Sequence, residues 1–519
     1  MALGPAARGQ SASQPAPTSR PTPDLSAVNR LILQLDDDDP VVRGQASLRV
    51  NSLDGSALGV VEAALRSEAT GPEAANRLKI ALQYIRPRAV REREQTARAA
   101  WESKTLHEAY QKFGRTNPAY DAQALRAIDL FLRLGRDPLR GPAAPRTAAL
   151  AAFDSAVDKG CDDPHILCLR LCADGRTGGL MGPESYRTAT GVANGPYTPA
   201  AKMLAVVAYL GSTDHADDTQ RSLPSRLLPE VLNDPDLPAT EADALVDAPF
   251  DALQRGIDLK GDLPALVRAY KTARPGAPGP MILEAKTLIM RALDPGDRTV
   301  FGPNGREDTA AAGKLLEQAA QLAPDDPRPP TLMLVVLTNL AGDPGQFEQW
   351  FQRAVTADPD NYAACRRKLD YLSPGRHGSS EELLRFGRWC LATQNWRGSI
   401  PFLLGSAHEM LAGLSADPDA YFQNPEVWQD VRAVYDGAVL NASDPASLAS
   451  FRSGYAKWAA QCGKWKVARE LFDLLGDKPD LAAFGSRETY DYYRRKAVRR
   501  ASETPGQSET GPATHPAGG

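Results

Sequence analysis

Hydrophobic residues from position 24 onward recur every three or four positions, which is the spacing of one face of an α-helix. The first two such runs lie on either side of an acidic turn, and two more follow before position 86. The apolar residues of the four runs are Leu25, Val28, Leu31, Ile32 and Leu35; Val42, Ala46, Val50 and Leu53; Leu58, Val61 and Leu65; and Ala75, Leu78, Leu82 and Ile85. The alternation typical of β-strands is scarce along the chain. The pattern therefore predicts an all-α protein.

Four consecutive aspartates, residues 36–39, separate the first two runs and are followed by Pro40. Proline is well tolerated in the first turn of a helix, and acidic side chains near a helix N-terminus are stabilised by the helix dipole. We therefore interpret these aspartates as helix-end residues and not as metal ligands.

The first predicted unit, residues 24–86, resembles a HEAT repeat. The resemblance is carried by the run Asp39-Pro40-Val41-Val42-Arg43, by the small residue Ala46 and by the Leu-x-x-Leu spacing before the turn. In that family an arginine bridges neighbouring repeats, and Arg43 occupies the corresponding position. The resemblance implies a pair of packed helices at the start of the folded chain.

A second regularity appears as two segments 35 positions apart that share one kind of helix end. In residues 316–326 and 351–361, a predicted helix ends in alanine followed by a short sequence that contains proline and aspartate. Residues 152–164 show a similar helix end. The offset is near the roughly 34-residue period of tetratricopeptide repeats. A late helix pair is predicted over residues 455–472, with Gly463 in the turn and Ala468 at the close approach.

Helix pairs of this kind cannot bury their apolar faces alone, so neighbours must stack into an α-helical solenoid with a concave groove. We predict an all-α solenoid that is HEAT-like over residues 24–86 and tetratricopeptide-like over 87–300, with long loops, and over 301–500. The Ser-, Pro- and Gly-rich ends, residues 1–23 and 501–519, are predicted to be a disordered leader and a disordered tail. Three proline-rich breaks are predicted to be loops: residues 137–145, 224–238 and 275–280.

Composition narrows the classes of function. The 519 residues carry a net charge of −4, which argues against a dedicated nucleic-acid-binding protein because phosphate contacts require a basic excess. No apolar run approaches the roughly 18 residues of a membrane span, so no span is predicted. The six cysteines lack the C-x-x-C spacing of zinc or redox sites, and Cys168 and Cys172 are interpreted as small residues on a buried helix face.

Catalytic motifs are scarcely represented. His408-Glu409 begins like the H-E-x-x-H helix of zinc proteases, but Ala412 stands where the second histidine would be required. Neither a phosphate-binding glycine loop of the Walker type nor a G-x-S-x-G elbow is present in the sequence. We therefore predict a protein that is not an enzyme and that uses no cofactor or metal.

The segment from Tyr362 to Ser379 resembles a family of bacterial tetratricopeptide-like proteins of unknown function. The shared features are Leu372-x-Pro374-x-x-x-Gly378-Ser379 and a following helix with Phe-x-Arg at residues 386–388, and the resemblance extends over about residues 160–484. This chain has Arg376-His377 where the family tends to have Trp-Gly, which implies a changed partner if that loop binds one. The resemblance implies no activity.

Aromatic and cationic residues, the types that dominate binding hot spots, are concentrated in one predicted repeat and the loop that follows it. The candidate partner-binding residues are Tyr362, Arg366, Lys368, Arg376, His377, Trp389 and Trp396. A second candidate surface is the basic C-terminal helix with Arg494, Arg495 and Lys496, which follows three tyrosines. We interpret it first as a terminal capping helix with a solvated outer face; the alternatives are peripheral contact with membrane lipid, or binding of RNA or of an acidic partner.

The function predicted from these features is a non-catalytic scaffold that binds a protein partner, as a peptide or helix, in the concave groove. One alternative is a helical-toroid enzyme, a hydrolase or lyase, with a cleft near His377. Another is a peripheral component of the cell envelope. A cytoplasmic location is favoured, and export is the expectation if a signal peptide precedes Met1.

Overall fold

The computed structural model of the chain describes residues 25–134, 143–174, 183–212, 218–245, 263–292, 302, 304–442 and 444–503. The regular structure of these residues is helical, and apart from one isolated bridge between Pro374 and Gly378 they contain no β-pairing. The all-α prediction is therefore confirmed. The predicted leader, residues 137–142 of the break predicted at 137–145, and the part of the predicted tail after residue 503 lie outside the described residues, and residues 143–145 of that break are helical.

The chain divides into two compact units. The first comprises the described residues of Met1–Asp37 and Leu53–Gly342, and the second those of Asp38–Ser52 and Asp343–Gly519. The helices of the first unit are α1 (Leu25–Leu33), α3 (Leu58–Arg66), α4 (Pro72–Glu108), α5 (Asp121–Leu132), α6 (Ala143–Asp158), α7 (Pro164–Asp174), α8 (Pro183–Asn194), α9 (Pro199–Ser212), α10 (Asp218–Val231), α11 (Leu263–Ala273), α12 (Pro278–Ala292), α13 (Gly305–Leu322) and α14 (Arg328–Leu340). Residues 239–245 are also helical.

The helices of the second unit include α2 (Pro40–Asn51) and then a continuous series towards the C-terminus. That series is α15 (Pro344–Ala357), α16 (Tyr362–Tyr371), α17 (Ser380–Ala392), α18 (Leu403–Leu414), α19 (Pro418–Phe422), α20 (Pro425–Leu440), α21 (Pro445–Gln461), α22 (Trp465–Leu475) and α23 (Arg487–Glu503). The C-terminal helix therefore includes the first three residues of the predicted tail.

The aspartates before Pro40 act at helix ends, as predicted. Asp39 is the N-cap of α2, and its side chain accepts a hydrogen bond from the backbone N–H of Val41 at 2.8 Å. Asp36 accepts from the backbone N–H groups of Gly71 and Ala74, each at 3.0 Å, at the start of α4. Such caps satisfy backbone donors that a helix leaves without a partner in its first turn.

Helix α4 runs through position 86, where the sequence placed the end of the HEAT-like unit. It continues past Pro87 because the apolar side chains on either side of the proline, Ile85 and Ala89, are buried and offset the lost backbone hydrogen bond. Further along, Trp101 donates to Asp234 at 3.1 Å, and Arg98 pairs with the buried Glu241 at 3.0 Å. Next to Pro87, Arg86 pairs with Glu62 at 3.1 Å and Arg88 donates to the carbonyl of Leu53 at 2.8 Å, so both arginines are used within the fold.

The similar helix ends found in the sequence have similar structures. α6, α13 and α15 each end at the repeated motif, and the polar residue that follows binds the start of the next helix. Asp163 accepts from the N–H groups of His165 and Ile166, Asp326 accepts from Arg328, and Asn361 accepts from Ala364, at 2.9 to 3.0 Å. What recurs in these three segments is therefore a helix end followed by a residue that caps the next helix.

One predicted loop is wrong in part. Residues 224–231 of the break predicted at 224–238 belong to α10, and only the residues that follow leave the helix. Leu223, Leu228 and Val231 are buried, so an apolar stripe holds the helix together despite its prolines. The predicted break at 275–280 is shorter than expected, because α12 begins at Pro278.

The predicted pair over residues 455–472 is confirmed as α21 and α22. Gly463 lies between them with a φ of +70°, a left-handed conformation that favours glycine, and Ala468 is fully buried. The six cysteines are all buried and free, including Cys168 and Cys172 on α7. This agrees with their interpretation as packing residues.

A close approach at Gly437 on α20 yields a test of the packing. A Cβ atom there would clash with the Trp396 ring, whereas one at Gly413 on α18 would meet nothing within 4 Å. We expect Gly437→Ala to lower the free energy of unfolding by about 2 kcal/mol and Gly413→Ala to raise it by about 0.5 kcal/mol. Urea unfolding of both variants checks the prediction. Equal effects at the two positions would contradict it.

Candidate functional site

The seven residues predicted to bind a partner lie in four different surroundings. Tyr362 and Arg366 share one face of α16, Lys368 is enclosed between helices, Arg376 and His377 lie in the loop after α16, and the two tryptophans lie on and after α17. The structure therefore distributes the candidates over several surfaces of the second unit, and each surrounding defines a different role.

Lys368 is a packing residue. Its Nζ atom lies 2.7 Å from the Glu348 carboxylate and 4.1 Å from the centre of the Phe351 ring, and it also faces Phe386. Burial opposes the charge on Glu348, but hydrogen bonds from Lys368 and Gln352 outweigh it and lower the pKa of Glu348. The ammonium group thus joins α15, α16 and α17.

The loop residue His377 forms the outer layer of a stack of three rings. Its imidazole lies 4.4 Å from the Tyr371 ring, which in turn stacks on Phe347 at 3.9 Å. Burial raises the pKa of Tyr371. Arg376 and His377 are exposed, so the loop presents a cation and an imidazole to solvent.

The two tryptophans differ in exposure. Trp389 is 44% exposed and stacks on Phe386 at 5.3 Å, with its ring edge-on to Phe351. Trp396 packs edge-on against Phe402 at 6.0 Å. Trp389 is therefore an accessible aromatic surface, whereas Trp396 mainly fills the space between helices.

Tyr362 and Arg366 belong to a strip of polar side chains that crosses three helices. We define the polar strip as Tyr362, Arg366, Ser406, Glu409 and Lys457, on α16, α18 and α21. Burial raises the pKa of Tyr362, and the neighbouring Arg366 and Ser406 act in the opposite direction. Arg366 also pairs with Asp370 one turn along α16, at 3.1 Å.

Glu409 is the electrostatic centre of the polar strip. The residue is exposed to solvent, yet desolvation by the surrounding protein raises the pKa of its carboxyl group, with Lys457 and Arg366 partly offsetting the rise. Burial, together with the charge of Glu409, also raises the pKa of Tyr435 on α20. One carboxylate therefore interacts with three neighbouring helices.

Sequence reasoning missed Ser406, Glu409 and Lys457. A signal for two of them was present, because α18 reads Leu-Leu-Gly-Ser-Ala-His-Glu-Met-Leu-Ala-Gly-Leu and has only three polar side chains. Ser406 and Glu409 lie three positions apart, on the same helix face. Lys457 had no comparable signal, since its relation to Glu409 depends on the packing of α21.

A buried network surrounds the third polar residue of α18, His408. Its Nε2 atom lies 3.1 Å from Asp430, and its Nδ1 atom lies 2.9 Å from the Tyr421 hydroxyl. Arg388 pairs with the same aspartate at 3.1 Å. Burial opposes the charge on Asp430, but hydrogen bonds from His408 and Arg388 outweigh it and lower the pKa of Asp430. The network connects α17, α18, α19 and α20.

In the described part of the chain, no group of three His, Cys, Asp or Glu residues is arranged to hold a metal ion. Among the same residues, no helix combines the length and apolar character needed to cross a membrane. Comparison of the chain with protein-family models and with curated proteins finds no match in either.

Proposed function

We propose that this protein is a scaffold that binds a peptide or helix of a protein partner along the polar strip of its second unit. The observation that carries the proposal is the alignment of charged and hydroxyl groups across α16, α18 and α21. These are the first helices of three successive pairs, which line the inner groove in a tetratricopeptide-like solenoid. Glu409 is exposed at the centre of this alignment, where a partner can reach it.

The dimensions of the polar strip suit a short extended segment. α16 contacts α18, and Gly405 of α18 lies close to Trp458 of α21. Packed helices lie about 8–10 Å apart, so three of them span roughly 20 Å. An extended chain covers that distance with about six residues. The order of charges, Arg366, Glu409 and Lys457, favours a partner whose charges alternate in the opposite sense.

Exchanging the two charges at the centre of the polar strip tests the proposal. In Arg366→Glu/Glu409→Lys the net charge is unchanged, but the first two of the three charges presented to a partner are exchanged. We expect capture of the specific partner from native lysate to fall at least about tenfold, because like charges then face each other. Quantitative mass spectrometry of the captured proteins measures the change.

A matched control exchanges a charge pair elsewhere on the same unit. Glu381 and Arg385 form an exposed pair on α17, so Glu381→Lys/Arg385→Glu alters surface charge to a similar extent outside the polar strip. This control should capture the partner as well as the wild type does. Loss in the control, or retention in the polar-strip variant, would contradict the proposal.

An enzyme is the second candidate, and the observation that favours it is the chain of hydrogen bonds through Tyr421, His408 and Asp430. A hydroxyl, an imidazole and a carboxylate in this order form the arrangement of an activated nucleophile. We place it second because burial and the charge of Asp430 raise the pKa of Tyr421 to about 12, whereas a nucleophilic hydroxyl requires a lowered pKa. Turnover of model esters that is abolished in Tyr421→Phe, with unchanged stability, would favour the enzyme.

A further inference from the structure

Helix α23 is fixed to the second unit through one face. Tyr490 and Ala497 are fully buried, and the Tyr490 hydroxyl donates to the carbonyl of Gly476 at 2.7 Å. Arg494, one of the three cations of the second candidate surface, points back towards the same carbonyl and to Asp477, each at 3.5 Å. The opposite face of α23 is therefore the one presented to solvent.

The outer face of α23 carries unpaired positive charge. Arg495 and Arg499 lie one helical turn apart, and neither forms a hydrogen bond or ion pair with any residue that the structure describes. Like charges at this spacing destabilise a helix slightly. Some other exposed arginines of the second unit do have acidic partners: Arg385 pairs with Glu381, Arg388 with Asp430, and Arg469 with Asp473.

Aromatic and apolar groups flank these charges. Tyr492 is 51% exposed and Val498 is 45% exposed, and the Lys496 ammonium lies over the Tyr492 ring at 5.6 Å. Two of the acidic residues of α23, Glu488 and Asp491, lie in its first part, where negative charge stabilises the helix N-terminus, and the third, Glu503, is its last residue. The outer face thus combines cations with residues that suit a membrane interface.

The shape of this surface distinguishes between partners. The side chains that line the shallow depression on it, Asp491, Arg494, Arg495, Val498 and Arg499, all belong to α23 itself. Because every lining residue belongs to one helix, the depression has no second wall in the described structure that could hold an extended peptide, and it suits a flat surface better. The net charge of −4 argues against a nucleic acid as the partner.

We infer that the outer face of α23 binds the surface of bilayers rich in anionic phospholipids, independently of the polar strip. Arg495, Lys496 and Arg499 attract the lipid phosphates, and Tyr492 and Val498 lie at the level of the headgroups. Binding of this type is reversible and weakens as salt screens the charges.

Sedimentation with vesicles tests the inference on the full-length chain. Vesicles of phosphatidylglycerol and phosphatidylcholine in equal parts should bind the wild type, whereas vesicles of phosphatidylcholine alone should not. Arg495→Glu/Arg499→Glu should weaken binding at least about tenfold. Arg385→Glu/Arg469→Glu changes the net charge equally on α17 and α22 and should leave binding unchanged, which separates a local surface from bulk charge.

Two outcomes would overturn the inference. One is equal loss of binding in the two double variants, which would show that only net charge matters. The other is failure of the wild type to bind anionic vesicles at low salt while it binds an acidic peptide or single-stranded RNA through Arg495 and Arg499. Circular dichroism of each variant confirms that α23 is retained.

Discussion

Replacing Asp163 with alanine is expected to lower the free energy of unfolding by about 4 kcal/mol. The carboxylate is fully buried and accepts hydrogen bonds from the backbone N–H groups of Arg115, His165 and Ile166 and from the Tyr197 hydroxyl, at 2.8 to 3.0 Å. Alanine would leave four donors without an acceptor and would remove the cap of α7. Urea unfolding followed by far-ultraviolet circular dichroism measures the loss.

The neighbouring aspartate is a matched control. Asp162 is exposed, and its pairing with Arg115 is at the surface, where ion pairs contribute little. We expect Asp162→Ala to change the free energy of unfolding by less than about 1 kcal/mol. A similar small effect at Asp163 would contradict the assignment of that residue as a structural centre.

Removing the imidazole of His408 is expected to cost about 3 kcal/mol. His408→Ala leaves a cavity between α18, α19 and α20 and deprives Asp430 and Tyr421 of a hydrogen-bond partner. His377→Ala is the control, because that imidazole is exposed and stacks on a single ring, and it should cost less than about 1 kcal/mol. Thermal unfolding of both variants provides the comparison.

The effect of pH on His408→Ala follows from the lowered pKa of Asp430. A carboxylate whose pKa is lowered by folding contributes stability above its ordinary pKa of 3.8, and that contribution disappears as the pH falls through the folded-state value. The part of the loss due to the His408–Asp430 bond should therefore shrink below about pH 4. A loss that stays constant down to pH 2 would attribute the whole effect to the cavity.

The sequence predicted the helices and their ends well because those depend on neighbours in the chain. The Asp39 side chain binds the backbone N–H two positions later, at the start of α2, and the Asn361 side chain binds the one three positions later, at the start of α16. The spacing in the sequence is therefore enough to identify both caps. The prolines of α10 misled the prediction because the burial of Leu228 and Val231, which keeps that segment helical, is decided by other helices.

The candidate site was less predictable for the same reason. Tyr362 and Arg366 could be singled out from their residue types, but their relation to Ser406 and Glu409 depends on how α16 packs on α18. Lys368 has the composition of a binding residue, yet its ammonium group is enclosed by Glu348 and two aromatic rings. Residue type indicates what a side chain can bind, and packing decides whether it is available.

Site-specific photo-crosslinking tests the proposed binding surface most directly. A benzoylphenylalanine at Tyr362 places the crosslinker on the polar strip, and the same group at Trp389 places it on the exposed aromatic surface of α17. Both changes replace one aromatic side chain by another. We predict that the Tyr362 position crosslinks the captured partner and that the Trp389 position does not. Crosslinking at Trp389 alone would show that the partner binds α17 and would contradict the polar strip as the binding surface.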